Sequence, residues 1–510
     1  MNVLALIEQY NRMGFEKTQP KESVTYINGV MDIKDKYQRG TRLILDSDLV
    51  YKMADDMSVL DLVHADDIFI YVQDRIVSIN DEENLLTLKD ALHKEKRWLA
   101  VKKINQVLLN IDFLKKRAKQ YGKPSYIQLE TSSYCNAQCI MCSHYYTHNK
   151  GAKHLKKEMI YHLADEMVNC NTVSLNGMGE PFLHPDICEL IDQYAQYGAQ
   201  MATNTNLTVV NEKIMKQIRD HFAWIEISCD GADDYVYNGI RKNLSFQKFK
   251  ENLKKLKEEC PNIRKHLTMV VMRQNVHHME EIIEIAAEHG IAQVSFSNMW
   301  PNMIIGNAKD VMTNYPDVLR YFTQRAYEKG KACGLEVSIA IDLGEPLAWE
   351  DVKDEFEAMK SEEDFKNEKE INEMIRISEI VEEYKEEHSI LEKEAKPSNV
   401  RCSGICDWIL ERVYIDLEGN TCMCCSKQLF RTGSVDKNTS LSEVWNGEYY
   451  KKLREMFYAG VLPESCLGCG LIENHKLDHL RVPDMKHFHE EAAFRAEKRK
   501  LLNDLIEEKI

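Results

Sequence analysis

The chain has 510 residues, 44% hydrophobic and 29% charged, which is too long for one ordinary core and too apolar for a disordered segment. Its 82 acidic against 66 basic residues leave a net charge of −16, which disfavours a nucleic-acid backbone as partner. No apolar run approaches the ~18 residues that span a bilayer, and the N-terminus MNVLALIEQYNRMGF lacks the basic region and cleavage site of a secretory signal, so a soluble, cytoplasmic protein with no membrane association is expected.

Residues 1–120 carry strand-like runs, TRLILDSD and DDIFIYVQDRIVSI, and a basic helical stretch from ALHKEKRWLAV to KKRAKQYG, read as an N-terminal α+β accessory domain of unassigned role. From 121 to 342 short apolar runs alternate with amphipathic helices. The runs are YIQLET, VSLNG, AQMATN, WIEISCDG, HLTMVVM, AQVSFSN and LEVSIAID. Apolar residues fall at helical spacing between them, as in Ile187, Leu190, Ile191 and Tyr194, or Phe246, Phe249, Leu253 and Leu256. Such alternation predicts βαβ units around a parallel sheet, with chemistry at the C-terminal strand ends. Residues 343–398 are highly charged and read as a solvated helical insertion. Residues 399–475 form a small cysteine-rich domain, and 476–510 a C-terminal amphipathic helix.

Fifteen cysteines, odd in number and clustered, argue for metal or redox chemistry rather than a disulfide framework. Cys135, Cys139 and Cys142 follow the first strand of the alternating region as C-x3-C-x2-C. Three thiolates on one loop are one short of the four that hold an ordinary [4Fe–4S] cluster, and a missing ligand leaves an iron open for chemistry. Zinc with His144 as a fourth ligand is the alternative. Gly177-Met178-Gly179-Glu180-Pro181 follows the second strand, Thr203–Asn206 ends the third, and Ser228-Cys229-Asp230-Gly231 ends the fourth, with Arg241 beyond, all on the rim of the cysteine loop. Glycine-rich backbone approaches a ligand closely, a carboxylate meets an ammonium, and Asn or Ser binds a ribose. Cys229 alternates with Ser228 and Asp230 and so faces away from the interior.

These four segments, in this order over about 125–300, resemble the radical S-adenosylmethionine (radical SAM) superfamily. The resemblance implies an α/β fold, a partial (β/α)6 TIM-like barrel. It also implies a [4Fe–4S] cluster on Cys135, Cys139 and Cys142, with the methionine amino and carboxylate groups on the open iron. Gly179 and Glu180 would hold the amino group, and Asn204, Ser228, Asp230 and Arg241 would lie near the ribose or carboxylate. Met141 would pack near the adenine, where many relatives carry an aromatic residue.

The C-terminal region offers Cys402, Cys406, Cys422, Cys424, Cys425, Cys466 and Cys469. A hairpin turning at Glu418-Gly419-Asn420 brings Cys406 and Cys424 together, and a helix over Leu441–Tyr458 returns the chain to Cys466-x2-Cys469. On chemistry alone a zinc ribbon and a second [4Fe–4S] cluster are both open. The context resembles the SPASM or twitch auxiliary-cluster extension. The absence of cysteine after Cys469 points to one auxiliary cluster, on Cys406, Cys424, Cys466 and Cys469. Cys425 is an alternative to Cys424, and Cys402 to Cys406.

The resemblance implies reductive cleavage of S-adenosylmethionine and hydrogen abstraction, with flavodoxin or ferredoxin as external electron donor. The single-cluster spacing favours a small polar substrate such as a sugar, nucleotide sugar or cyclitol, with peptide or protein modification as the alternative. A non-catalytic zinc-stabilised protein is a further one. No catalytic side chain is assigned, and Tyr145, Tyr146 and Asn298 lie near the rim.

Overall fold

A computed structural model describes the backbone of four short strands within residues 24–78. Beyond these it describes residues 80, 82–142, 144, 149–299, 310–339, 341, 343–360, 395–401, 406–425, 431–463 and 466. Tyr145, Tyr146, Cys402, Cys469 and the predicted C-terminal helix lie outside the described residues, as do 361–394 of the charged insertion.

Seven strands run in chain order and in parallel: β1 (Tyr126–Leu129), β2 (Thr172–Leu175), β3 (Gln200–Thr205), β4 (Phe222–Ser228), β5 (Arg264–Val271), β6 (Gln293–Asn298) and β7 (Glu336–Ile339). They fall on the seven predicted runs. Side chains alternate across each strand. In β5 Lys265, Leu267, Met269 and Val271 are buried under the outer helices. The register places Gln128, Ser174, Ala202 and Trp224 in one row on the other face and Asn204, Glu226, His266 and Gln293 in the next, so the lumen is largely polar. Two bonds link neighbouring strands along it: Thr268 Oγ1 donates to Glu226 at 2.9 Å, and His266 Nε2 lies 2.7 Å from Ser295 Oγ.

The helix Ile187–Ala195 buries Ile187, Leu190, Ile191 and Tyr194, and Phe246–Glu259 buries Phe246, Phe249, Leu253 and Leu256. Asn211, Asp233 and Ser245 cap their helices by accepting from backbone N–H groups.

The sheet does not stop at β1. Strand β8 (Arg412–Ile415) joins it in parallel, with Tyr414 opposite Gln128. Hairpin partner β9 (Asn420–Cys422) and then β10 (Arg431–Ser434) follow antiparallel, making ten strands in all. The β8–β9 turn uses Gly419 at φ +84°, as its predicted place requires. Arg454, fully buried, fastens this extension to the chain ahead of β1. It donates to Ile409 O at 2.8 Å, and to Ala118 O and Trp445 O at 3.0 Å, with its guanidinium 4.2 Å from the Trp445 ring centroid.

Three expectations change in detail. The basic N-terminal stretch is two helices, Glu82–Lys94 and Trp98–Leu114, broken where Lys96 takes φ +56°. The second helix packs into the barrel's own core through Val101, Ile104 and Leu108. The expected helix Leu441–Tyr458 is likewise two, Leu441–Trp445 and Glu448–Tyr458, because the chain leaves helical geometry at Asn446 and Gly447. The start of the charged insertion is not simply solvated: helix Trp349–Lys360 buries Val352 and Met359 and packs Trp349 and Phe356 against Tyr321 and Phe322. Ahead of these helices, Val24–Tyr26, Arg42–Leu45 and Ile68–Val72 pair in parallel, and Arg75–Ser78 pairs antiparallel with the third.

Candidate functional site

The cysteine loop leaves β1 at its C-terminal end and is held from three directions. Cys139 and Gln138 pair with Arg241 and Lys242 as a two-residue antiparallel ladder, and Ile140 N donates to Ile240 O at 3.0 Å. Asn149 accepts from Cys135 N at 2.8 Å and donates back to Cys135 O at 3.0 Å, while Asn136 bonds Thr208 and Asn206. The GMGEP segment supplies the third hold: Gly179 N donates to Ser132 O at 3.1 Å and Glu180 N to Tyr134 O at 2.7 Å. A Cβ at Gly179 would stand 2.3 Å from Tyr134 O and 2.6 Å from Ser132 O, so only glycine fits.

Burial pushes the Cys135 and Cys139 thiols up to about 12 and raises Cys142. The opposing influences are those a thiolate needs. The Ala137 and His144 amides bond Cys135 and Cys142, and Arg241 lies near all three, its Nη1 3.8 Å from Cys139 Sγ. Three half-buried thiols on one loop, flanked by amide donors and a fixed cation, fit a bound metal cluster, whose positive irons take the proton's place.

Glu180 is buried beside this loop. Thr205 Oγ1 donates to its Oε1 at 2.6 Å and Asn206 N to its Oε2 at 2.9 Å, yet burial still lifts its carboxyl to about 7. A carboxylate so placed is stabilised by an arriving ammonium. Asn204 and Ser228, half-buried, stand on lumen-facing strand positions, with Asn176 donating to Asn204 at 3.3 Å. Asp230 and Arg241 are committed to each other. Arg241 Nη2 lies 2.7 Å from Asp230 Oδ2, Val270 N donates to Oδ1 at 2.8 Å, and both side chains are buried. Met141 packs against a small cluster containing Met272 and Met299, and Cys229, the residue after β4, is buried in the main core. Asn298, half-buried, ends β6.

In the extension, Cys406 precedes the short helix Asp407–Leu410, and Cys424 and Cys466 are buried. Burial raises the Cys406 thiol well above its ordinary value, and Cys466 and Cys424 are near enough to add to it. Cys422 lies in β9 opposite Tyr414, and Cys425 is half-buried. Among the described residues no three His, Cys, Asp or Glu side chains converge on one point as ligands of a single ion would.

Sequence reasoning passed over Glu130. This carboxylate directly follows β1, is 6% exposed, accepts from Met178 N at 2.8 Å and takes the Tyr414 hydroxyl at 3.2 Å. A charged residue closing an apolar strand, five positions before Cys135, was its available signal. The polar lumen was likewise legible as every second residue of runs whose other face is apolar.

Residues 129–286 match the Radical SAM superfamily, and residues 406–470 match SPASM, an iron–sulfur cluster-binding domain. Over 203 residues the chain is 28% identical to an uncharacterised protein of Methanocaldococcus jannaschii, a match covering 37% of this chain and 66% of that one. Over 169 residues it is 26% identical to the mycofactocin maturase of Mycolicibacterium smegmatis, covering 33% of this chain and 43% of that one. The matches thus span less than two thirds of these relatives' length. Streptococcus suis SuiB bound to S-adenosylmethionine is similar at a TM-score of 0.46 and 14% identity, covering 78% of this chain and 84% of that one. No helix among the described residues is long and apolar enough to cross a membrane.

Proposed function

We propose that this chain, which carries a radical SAM domain followed by a SPASM domain, is an enzyme that cleaves S-adenosylmethionine reductively and takes a hydrogen atom from a peptide. The observation that carries the reading is that the loop bearing Cys135, Cys139 and Cys142 is hydrogen-bonded to the segment bearing buried Glu180, on one rim of a polar-lined barrel. In this reading the three thiolates ligate a [4Fe–4S] cluster, and Cys406, Cys424, Cys466 and Cys469 ligate one auxiliary cluster. When bound, the cluster with S-adenosylmethionine supplies one electron and a 5′-deoxyadenosyl radical.

The protein's own part is placement and exclusion of water. Glu180 receives the methionine ammonium. Gly179 lets the segment lie against the cysteine loop, and Asn204 and Ser228 offer polar atoms to the ribose or carboxylate. Arg241, held by Asp230, keeps a positive charge beside the thiolates, and Met141 contributes apolar packing. Reduced flavodoxin or ferredoxin is the proposed donor.

For the substrate, similarity to a mycofactocin maturase favours a peptide over the small polar molecule that the cysteine spacing alone suggested. The test is anaerobic reconstitution with iron and sulfide, then dithionite and S-adenosylmethionine. About eight irons per chain with release of 5′-deoxyadenosine is expected; no iron and no cleavage would overturn the reading. Short peptides encoded beside the gene are then added. A change in peptide mass supports the peptide assignment, and turnover of a sugar or cyclitol with every peptide unchanged returns the small-molecule one.

A further inference from the structure

We propose that Glu130 and Tyr414 are positioning residues for the S-adenosylmethionine site, so that the C-terminal extension helps to shape a site that otherwise belongs to the barrel. This rests on the reading of GMGEP as part of that site. Three consecutive amides of the segment are anchored to the end of β1 and the start of the cysteine loop: Met178 N to Glu130 Oε1 at 2.8 Å, Gly179 N to Ser132 O at 3.1 Å, and Glu180 N to Tyr134 O at 2.7 Å. Two anchors are backbone carbonyls. The first is a side chain, and the segment is wrapped onto it: a Cβ on Gly177 would lie 2.3 Å from Glu130 Cγ. Glu130 therefore fixes one end of a three-amide clamp whose other end aims the Glu180 carboxylate.

Glu130 is itself oriented from outside the barrel. Its Oε2 accepts from the Tyr414 hydroxyl at 3.2 Å, across 284 residues of sequence. Tyr414 is 1% exposed and sits on β8, opposite Gln128 of β1 and, across the hairpin, opposite Cys422. Glu130 N also donates to Ile415 O at 2.9 Å, so the backbone of the extension holds the same residue. Both carboxylate oxygens are bonded, one to the segment and one to the extension. A carboxylate held at two points has little rotational freedom, and that rigidity passes to the Met178 amide.

The test uses the cluster-loaded, full-length protein under anaerobic conditions. The variants are Tyr414→Phe, Glu130→Gln and the pair together. The readouts are iron per chain, melting temperature, and affinity for S-adenosylmethionine by equilibrium dialysis. Tyr414→Phe keeps the ring and its packing. It should retain wild-type iron and bind about fivefold more weakly, the size of one ordinary hydrogen bond. Glu130→Gln should weaken binding about tenfold or more, and the double variant should be no worse than Glu130→Gln alone, because the hydroxyl acts only through the carboxylate. A purely structural role would lower the melting temperature and leave the affinity of folded, loaded protein unchanged. Wild-type affinity in Tyr414→Phe, or a double variant whose loss is the product of the singles, would overturn the proposal. Should Glu130→Gln fail to load iron, Tyr414→Phe decides alone. A loaded wild-type protein that does not bind S-adenosylmethionine would instead overturn the functional reading and this inference with it.

Discussion

Lys102, on the helix Trp98–Leu114, gives a pH dependence that can be worked from the structure. It is 2% exposed and donates to the carbonyl oxygen of Met167 at 2.5 Å and to that of Cys170. Burial lowers its ammonium from 10.5 to about 8, with the neighbouring Cys170 acting weakly the other way. The gap corresponds to about 3 kcal/mol. Between about pH 8 and 10.5 the unfolded chain holds this proton and the folded chain does not, so the wild-type contribution becomes more favourable by that amount as pH rises. Lys102→Met removes the titration. Near pH 7 it leaves two carbonyls without their donor, at about 1–3 kcal/mol each, but sheds the buried charge, so the variant should fall within about 3 kcal/mol of wild type. Near pH 10 it should have lost about 2.5 kcal/mol more relative to wild type. Urea midpoints of both proteins, followed by tryptophan fluorescence at the two pH values, measure this; thiols and other lysines titrate in both and cancel in the difference. A difference between the proteins that stays constant within about 1 kcal/mol would refute the reasoning.

Replacing Cys139 with Ala should abolish 5′-deoxyadenosine release and halve the iron while leaving the C-terminal site loaded; intact cleavage would remove Cys139 from the ligand set. Cys466→Ala should keep some uncoupled cleavage and stop product formation, and normal turnover would show that the auxiliary site is dispensable. Gly179→Ala forces a Cβ to within 2.6 Å of two backbone oxygens and should lose binding of S-adenosylmethionine, measured by dialysis, with a lowered melting temperature. Arg454→Leu leaves the carbonyls of Ile409, Ala118 and Trp445 without this donor, at about 1–3 kcal/mol each and partly offset by removal of the buried charge, so it should lower the urea midpoint; an unchanged midpoint would show that the guanidinium is not what fastens the extension.

The barrel was legible because its signals are local. Each strand is a short apolar run, each helix a 3.6-residue repeat, and Cys135, Cys139 and Cys142 lie within one loop. Partners far apart in sequence were not. Nothing around Tyr414 indicates that β8 pairs with β1 in parallel, or that its hydroxyl reaches Glu130. Asp230 and Arg241 read as ligand contacts because each is a charge near the rim; that they neutralise each other is a matter of tertiary distance. The helix breaks at Lys96 and Gly447 follow from single-residue conformations that hydrophobic periodicity does not register. The apolar face of Trp349–Lys360, with Trp349, Val352, Phe356 and Met359 at helical spacing, was present in the sequence but masked by the surrounding charge.

The insertion of β8 beside β1 also sets an order of events during synthesis. Until β8 leaves the ribosome, β1 has β2 on one side and an unpaired row of backbone donors and acceptors on the other. The 284 residues separating Glu130 from Tyr414 take roughly 15–60 s to make at about 5–20 residues per second. During that interval the nascent barrel presents an open strand edge, a template for mispairing with other chains. Shorter chains ending before residue 412 would keep that edge for their lifetime, so aggregation on expression should fall sharply once the chain is extended through β8.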